Sequence, residues 1–151
     1  MKTNELLQEV RNAVSSDLVL DAWCRSKFGK AVTVYLGRDA QEPPPAEDCP
    51  VVVIVGVDQV RGASRSELTW RVHFNVGVNN GEVVAAGNTK TYTGFLQAEE
   101  LREQAEDAVY RAMHGLPDTD SESEEINFGS LFVSRTAVLV SKLKSTRRGL
   151  P

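Results

Sequence analysis

The residues in this sequence best suited to covalent or acid–base chemistry are its cysteines and histidines. Cys24 could act as a nucleophile if the fold brought it to His73 or His114, because an attacking thiol needs a base within hydrogen-bonding reach. His73 falls inside an alternating strand pattern, on the less apolar face. His114 follows a long helical stretch, where the helix dipole favours a histidine without any catalytic role. A cysteine hydrolase is therefore only an alternative, and we expect no enzyme.

Patterns typical of metal and phosphate sites are weak. Cys24 and Cys49 form no CxxC pair and have no accompanying histidine pattern, so neither a zinc site nor a disulfide framework is indicated. Glu99, Glu103 and Asp107 stand four residues apart, a spacing found in metal-binding helices, but no Glu-x-x-His accompanies them. No glycine spacing matches a phosphate-binding loop. We expect no cofactor and no metal, and we interpret these carboxylates as an exposed helix face.

Composition indicates one ordinary globular domain. The chain has 151 residues, 41% of them hydrophobic, and a formal charge of −4, which argues against non-specific nucleic-acid binding. Its charge is unevenly placed, with an acidic stretch at Asp118–Glu125 and a basic one at Lys142–Arg148. The sequence shows no signal-peptide pattern and no apolar run near the roughly 20 residues that cross a bilayer, so we expect no membrane partner.

A pair of strands should form the middle of the fold. Leu68–Val78 alternates apolar and polar residues, which is typical of a strand with one buried face. Val51–Val57 is apolar on both faces and predicts a strand covered on both sides. Polar Asp58–Glu67 joins them into a hairpin. After an Asn-Gly turn signal, Glu82–Tyr92 is predicted to pair back as a third, edge strand, with Gly87 at a bulge or bend.

Helices are predicted on both sides of these strands in sequence. Thr3 or Asn4 can cap a first helix, and the Ser15–Asp17 segment can cap a second that Gly29 ends. Phe95–His114 is the longest helical stretch, ended by Gly115 and Pro117, and should cover the sheet face that contains Trp70 and Phe74.

The remaining segments complete a single α+β domain over residues 1–143. Ala31–Leu36 predicts a short strand, Gly37–Pro50 an exposed proline-rich connection, and Leu116–Gly129 a mobile acidic loop. Leu131–Leu143 should be a last strand of the same sheet. We therefore expect one mixed, mainly antiparallel β-sheet of about four to five strands, with a long helix on one face and N-terminal helices. Residues 144–151 are expected to be a disordered basic tail.

This order of elements resembles the tail terminator and tail-completion proteins of long-tailed bacteriophages. The resemblance is carried by the segments TNELLQEVRNAV, PPPAEDCPVVVIVGVDQV, LTWRVHFNVGV, and QAEELREQAEDAVYRAM followed by LFVSRTAVLVSKL. It implies a structural virion protein, made in the host cytoplasm, that forms a homo-oligomeric, hexameric ring. Such a ring caps the tail tube and joins head-completion proteins. The resemblance implies neither catalysis nor a cofactor.

A ring needs head-to-tail contacts between two different surfaces of each subunit. We hypothesise that acidic side chains of one copy approach basic side chains of its neighbour. The acidic candidates are Asp118, Asp120, Glu122, Glu124 and Glu125, and the basic candidates are Arg61, Arg65, Arg147 and Arg148. The alternatives are another phage neck or tail adaptor protein, or a small-molecule-binding α+β protein or enzyme.

Overall fold

The computed structural model describes residues 1–38, 42–60, 67–118 and 125–143. Within them the helices are Thr3–Ser15 (α1), Leu18–Phe28 (α2) and Thr93–Met113 (α3). The strands are Thr33–Leu36 (β1), Val51–Val60 (β2), Glu67–Asn79 (β3), Val83–Ala86 (β4), Thr89–Tyr92 (β5), Leu116–Pro117 (β6), Glu125–Phe128 (β7) and Leu131–Leu143 (β8). No helix in these ranges combines the length and apolar character needed to cross a bilayer.

A six-stranded sheet forms the body of the protein. Its order is β1-β2-β3-β8-β6, and β7 pairs with the other half of β8. β1 runs parallel to β2, and the other pairs in this sheet are antiparallel. The longest pairing joins β3 to β8, from Glu67 opposite Leu143 to Asn79 opposite Leu131. The prediction of an α+β fold with a mixed, mainly antiparallel sheet is therefore confirmed, as is a final strand in that sheet.

The core lies between this sheet and the helices. The predicted alternation of β3 places Trp70 and Phe74 on the helix side, where each is 1% exposed. Leu101 and Ala105 of α3 belong to the same buried cluster, together with Leu6 of α1. The prediction that the long helix covers Trp70 and Phe74 is confirmed. Burial of such large side chains supplies much of the hydrophobic stabilisation of a domain of this size.

The other face of the sheet is covered only in part. Both-face burial, predicted for Val51–Val57, extends over Val51–Ile54 and gives way to half-buried residues at a register shift between Ile54 and Gly56. At the covered end, Gly77 lies against the side chains of Val51 and Pro44. The proline-rich connection is therefore not wholly exposed as predicted, because Pro44 packs on this part of the sheet.

The prediction that Glu82–Tyr92 pairs with Leu68–Val78 is wrong. β4 and β5 pair only with each other, as a separate two-stranded sheet, and the position next to β3 is taken by β8. Gly87 does mark a bend, with a φ of 60° in the turn between the two strands. Leu116–Gly129 is likewise not simply a loop, since it contains β6 and β7, both paired with β8.

The helix ends match the predictions unevenly. Asp17 caps α2 by accepting a hydrogen bond from the Leu20 backbone N–H at 2.8 Å, and Gly29 ends it with a left-handed φ of 75°. No side chain caps α1, because the Thr3 hydroxyl instead accepts the Trp70 indole N–H at 3.3 Å. The last residue of α3 is Met113. The residue that caps its end is His114, not Gly115, and His114 has a left-handed φ of 56°.

Replacing Gly94 with alanine should destabilise the fold. A Cβ at Gly94 would lie 2.6 Å from the Asn80 carbonyl oxygen and 2.7 Å from Phe132 Cδ2, so α3 would have to move off the sheet. Overpacking of this kind costs about 1–3 kcal/mol. Chemical denaturation checks it, with Gly56→Ala as the control, since a Cβ there meets nothing within 4 Å. Equal stability of the two variants would contradict this placement of α3.

Candidate functional site

Cys24 and His73, one of the two predicted pairs of thiol and base, are not brought together. Cys24 is fully buried among the core residues, and burial raises the pKa of its thiol to about 12. His73 has the opposite parity to Trp70 and Phe74 in β3, so it lies on the face of the sheet away from that core. The sheet thus separates Cys24 from His73, and a thiol with so high a pKa is a poor nucleophile at neutral pH.

Of the carboxylates of α3, Glu103 and Asp107 are exposed as predicted, whereas Glu99 and Glu106 take part in an internal network. Arg102 bonds Glu99 at 2.9 Å and Glu106 at 3.2 Å. From β8, Ser134 donates to Glu99 at 2.9 Å and Thr136 donates to Glu106 at 2.5 Å. Within the described residues, no group of three or more His, Cys, Asp or Glu side chains is placed to hold a metal ion. The hydrogen bonds from Ser134 and Thr136 make this network a link between α3 and β8.

Sequence reasoning missed the burial of Glu106, whose side chain is only 8% exposed. Burial opposes the charge of Arg102, but its hydrogen bond with Glu99 and the attraction of Glu106 outweigh that opposition and raise the Arg102 pKa. The signal available in the sequence was the pair Ser134 and Thr136, two polar residues of equal parity within a largely apolar strand.

The open face of the sheet carries a second group of charged residues. Arg71 of β3 bonds Asp118 at 2.6 Å and Asp58 at 3.1 Å, and Asp58 also lies 3.3 Å from His73 Nε2. The hydrogen bond that Arg71 donates to the Asp118 carboxylate raises the pKa of Arg71. Beside this cluster is a depression of about 380 Å³, lined by Val55, His73, Phe74, Asn75, Arg135, Thr136 and Ala137.

The predicted acidic and basic interface residues are only partly visible. The Asp118 side chain is 6% exposed and paired with Arg71 of its own chain, so it holds the segment after α3 to the sheet. Glu125 begins β7, where its backbone pairs opposite Ser134. The others lie outside the described residues, namely Arg61, Arg65, Asp120, Glu122, Glu124, Arg147 and Arg148. Their contact with a neighbouring copy stays a prediction.

A two-stranded arm projects from the start of α3. We define the arm as residues 83–92, which comprise β4, β5 and their turn. Every residue from Gly81 to Tyr92 is exposed, including Val84 at 51% and Tyr92 at 52%. Phe95 and Leu96 extend this apolar surface onto the first turn of α3. The signal that was missed is Gly87-Asn88, a two-residue hairpin turn between Val83–Ala86 and Thr89–Tyr92.

A second apolar surface lies at the far end of α3. We define the helix-end patch as Leu18, Val19, Tyr110 and Leu116, whose exposed fractions are 82%, 52%, 51% and 57%. The start of α2 is held to α3 here by Asp17 and Arg111, which make two hydrogen bonds of 2.7 and 2.9 Å. Since a helix rises 1.5 Å per residue, the 21 residues of α3 separate the arm from this patch by about 30 Å.

The Asp17–Arg111 contact should make stability depend on pH. The hydrogen bond from Arg111 holds the pKa of Asp17 below its ordinary value of 3.8, against the opposing effect of burial. Because the folded pKa is the lower one, this stabilisation is present above pH 3.8 and is lost as pH falls through the folded pKa. We expect Asp17→Asn, which can still cap α2, to cost about 1 kcal/mol at pH 7. That cost should disappear at low pH.

Asp17→Ala is the matched comparison, because it removes the cap of α2 as well as the charge. It should cost about 1 kcal/mol more than Asp17→Asn, and this extra cost should persist in acid. Urea unfolding at pH 7 and at low pH measures both. Equal losses for the asparagine variant at the two pH values would show that the ion pair contributes nothing.

Comparison with known proteins identifies no relative. The sequence matches no protein-family model, and no curated protein is significantly similar to it. The function is therefore inferred from the surfaces described above and from the resemblance in the order of elements.

Proposed function

We propose that this chain is a structural subunit of a phage tail, of the tail-terminator type. In this role it closes into a ring on the end of the tail tube and presents a surface for head joining. A neck or tail adaptor that also forms a ring is the nearest alternative, and the same surfaces would serve it.

The observation that carries the proposal is the presence of two exposed apolar surfaces at opposite ends of α3. Exposed apolar patches of this kind mark interaction sites. Two different surfaces on one subunit are what a head-to-tail contact requires, and repetition of such a contact closes a ring when the rotation permits. The arm and the helix-end patch therefore fit a subunit that meets a different neighbour at each end.

The interior of the subunit is consistent with a structural role. The buried Arg102 network pairs charges with one another and with β8, and the thiol of Cys24 is inert. In contrast, the surfaces at the two ends of α3 expose leucine, valine and tyrosine side chains. Exposed apolar side chains of this kind are suited to contact with another protein surface.

Native mass spectrometry across protein concentration and salt tests this proposal. We expect a single closed oligomer, consistent with a hexamer, that assembles more completely at higher concentration. The same sample should bind assembled phage tail tubes, detected by co-sedimentation. A chain that stays monomeric in solution and also fails to co-sediment with tubes would overturn the proposal.

A small-molecule-binding protein is the second candidate, favoured by the depression on the open face of the sheet. Its volume of about 380 Å³ lies within the range of ligand pockets, and His73, Asn75 and Arg135 place polar groups around it. A metabolite library screened by thermal shift would distinguish the candidates. Under this second function, a ligand should stabilise the wild-type chain and lose its effect in Asn75→Leu.

A further inference from the structure

We propose that the arm of one copy docks on the helix-end patch of the next copy. This inference rests on the proposed ring and adds the pair of surfaces that forms each contact. The occupant of the patch is thus a second copy of this chain, presenting residues 83–92.

The arm has too few internal contacts to be stable by itself. An isolated two-stranded hairpin is marginally stable in water, and both faces of this one are exposed. Its base is fastened to the body, because the Thr93 N–H donates to the Glu82 carbonyl at 3.1 Å and the Thr93 hydroxyl donates to the Glu82 carboxylate at 2.7 Å. The hairpin is therefore fixed to the body at its base but exposed on both faces. It gains stability when it docks on another surface.

The chemistry of the two surfaces is complementary. The arm exposes Val83, Val84 and Tyr92 together with one charged side chain, Lys90. The helix-end patch is apolar, and the exposed residues Asp107 and Glu103 lie about one and two helical turns before Tyr110 of the patch. An apolar arm carrying a cation therefore fits an apolar patch beside carboxylates, and this match sets the direction of docking.

Docking of the arm on the helix-end patch also covers both apolar surfaces with a single kind of interface. Contacts of arm with arm would pair two copies and leave every helix-end patch exposed. Contacts of arm with patch cover both surfaces on every subunit once the ring closes. The separation of about 30 Å along α3 lets one subunit make both contacts with two different neighbours.

Disulfide trapping between separately labelled chains tests this docking. One chain carries Val84→Cys in the arm and the other carries Leu18→Cys in the patch, each with Cys49→Ser to remove the half-buried native thiol. After mild oxidation, we expect the mixture to give a covalent dimer of the two different chains. Either chain oxidised alone should give at least tenfold less dimer.

Native mass spectrometry of charge variants provides the control. Val84→Glu and Leu18→Glu should each abolish the oligomer, whereas Leu36→Glu, at an exposed leucine on β1 outside both surfaces, should leave it intact. Retention of the ring by both variants, or trapping of Val84→Cys with itself alone, would overturn the docking while the ring proposal stands. A wild-type chain that neither oligomerises nor binds tail tubes would overturn both.

Discussion

Replacing Phe74 with alanine is expected to lower the free energy of unfolding by about 3–5 kcal/mol. The ring is 1% exposed and lies in the cluster that joins β3 to the helices. Deleting it removes the transfer free energy of the buried ring and leaves a cavity that the close-packed core cannot fully fill.

Urea or guanidinium melts measure the loss, and Phe95→Ala provides the matched control. Phe95 lies on the first turn of α3 and is 39% exposed, so its truncation should cost the isolated subunit less than about 1 kcal/mol. A change near zero for Phe74→Ala would mean that β3 faces the other way. The difference between the two phenylalanines therefore tests the orientation of the central strand.

Replacing Arg102 with methionine should cost about 3 kcal/mol. Its guanidinium is 20% exposed and bonds Glu99 and Glu106, the latter at 8% exposure. Methionine would fill much of the same volume but remove the cation that pairs with the buried Glu106 carboxylate. Breaking a buried ion pair by removing one partner is strongly destabilising, because the uncompensated charge stays in a poorly solvated place.

The control for this prediction is an exposed pair with the same spacing. Arg25 and Asp21 bond at 2.9 Å with exposed fractions of 61% and 38%, so Arg25→Met should cost less than about 1 kcal/mol. The double variant Arg102→Met with Glu106→Gln should recover part of the loss, since it removes the stranded Glu106 charge. Losses that simply add would show that Arg102 and Glu106 do not interact.

Local patterns in the sequence were sufficient to predict helices and strands that bury one of their faces. The alternation over Leu68–Val78 correctly predicted a strand and placed Phe74 on its buried side. The apolar spacing over Phe95–His114 correctly predicted the long helix. These patterns are reliable because side-chain direction repeats every 2.0 residues in a strand and every 3.6 in a helix, independently of what packs against it.

Which strands pair with each other in the sheet could not be predicted from such local patterns. Glu82–Tyr92 follows a turn signal and was assigned to the edge of β3, but β8 takes that position over its whole length. The reason is energetic, since Leu131–Leu143 brings buried residues on both faces, whereas residues 83–92 are exposed throughout. Sequence proximity favoured the wrong strand because the advantage of the right one depends on contacts formed only in the complete sheet.

The candidate surfaces also depend partly on local sequence patterns and partly on contacts between distant parts of the chain. The sequence by itself determined the three helices, the strands β1, β2, β3 and β8, the α+β class and the buried side of the central strand. Only the tertiary structure decided that Asp118 pairs with Arg71 and that Glu106 turns inward to Thr136. It also decided that exposed apolar groups gather at the two ends of α3. The physical reason is that periodicity specifies a direction for each side chain, whereas burial and pairing depend on residues distant in the chain.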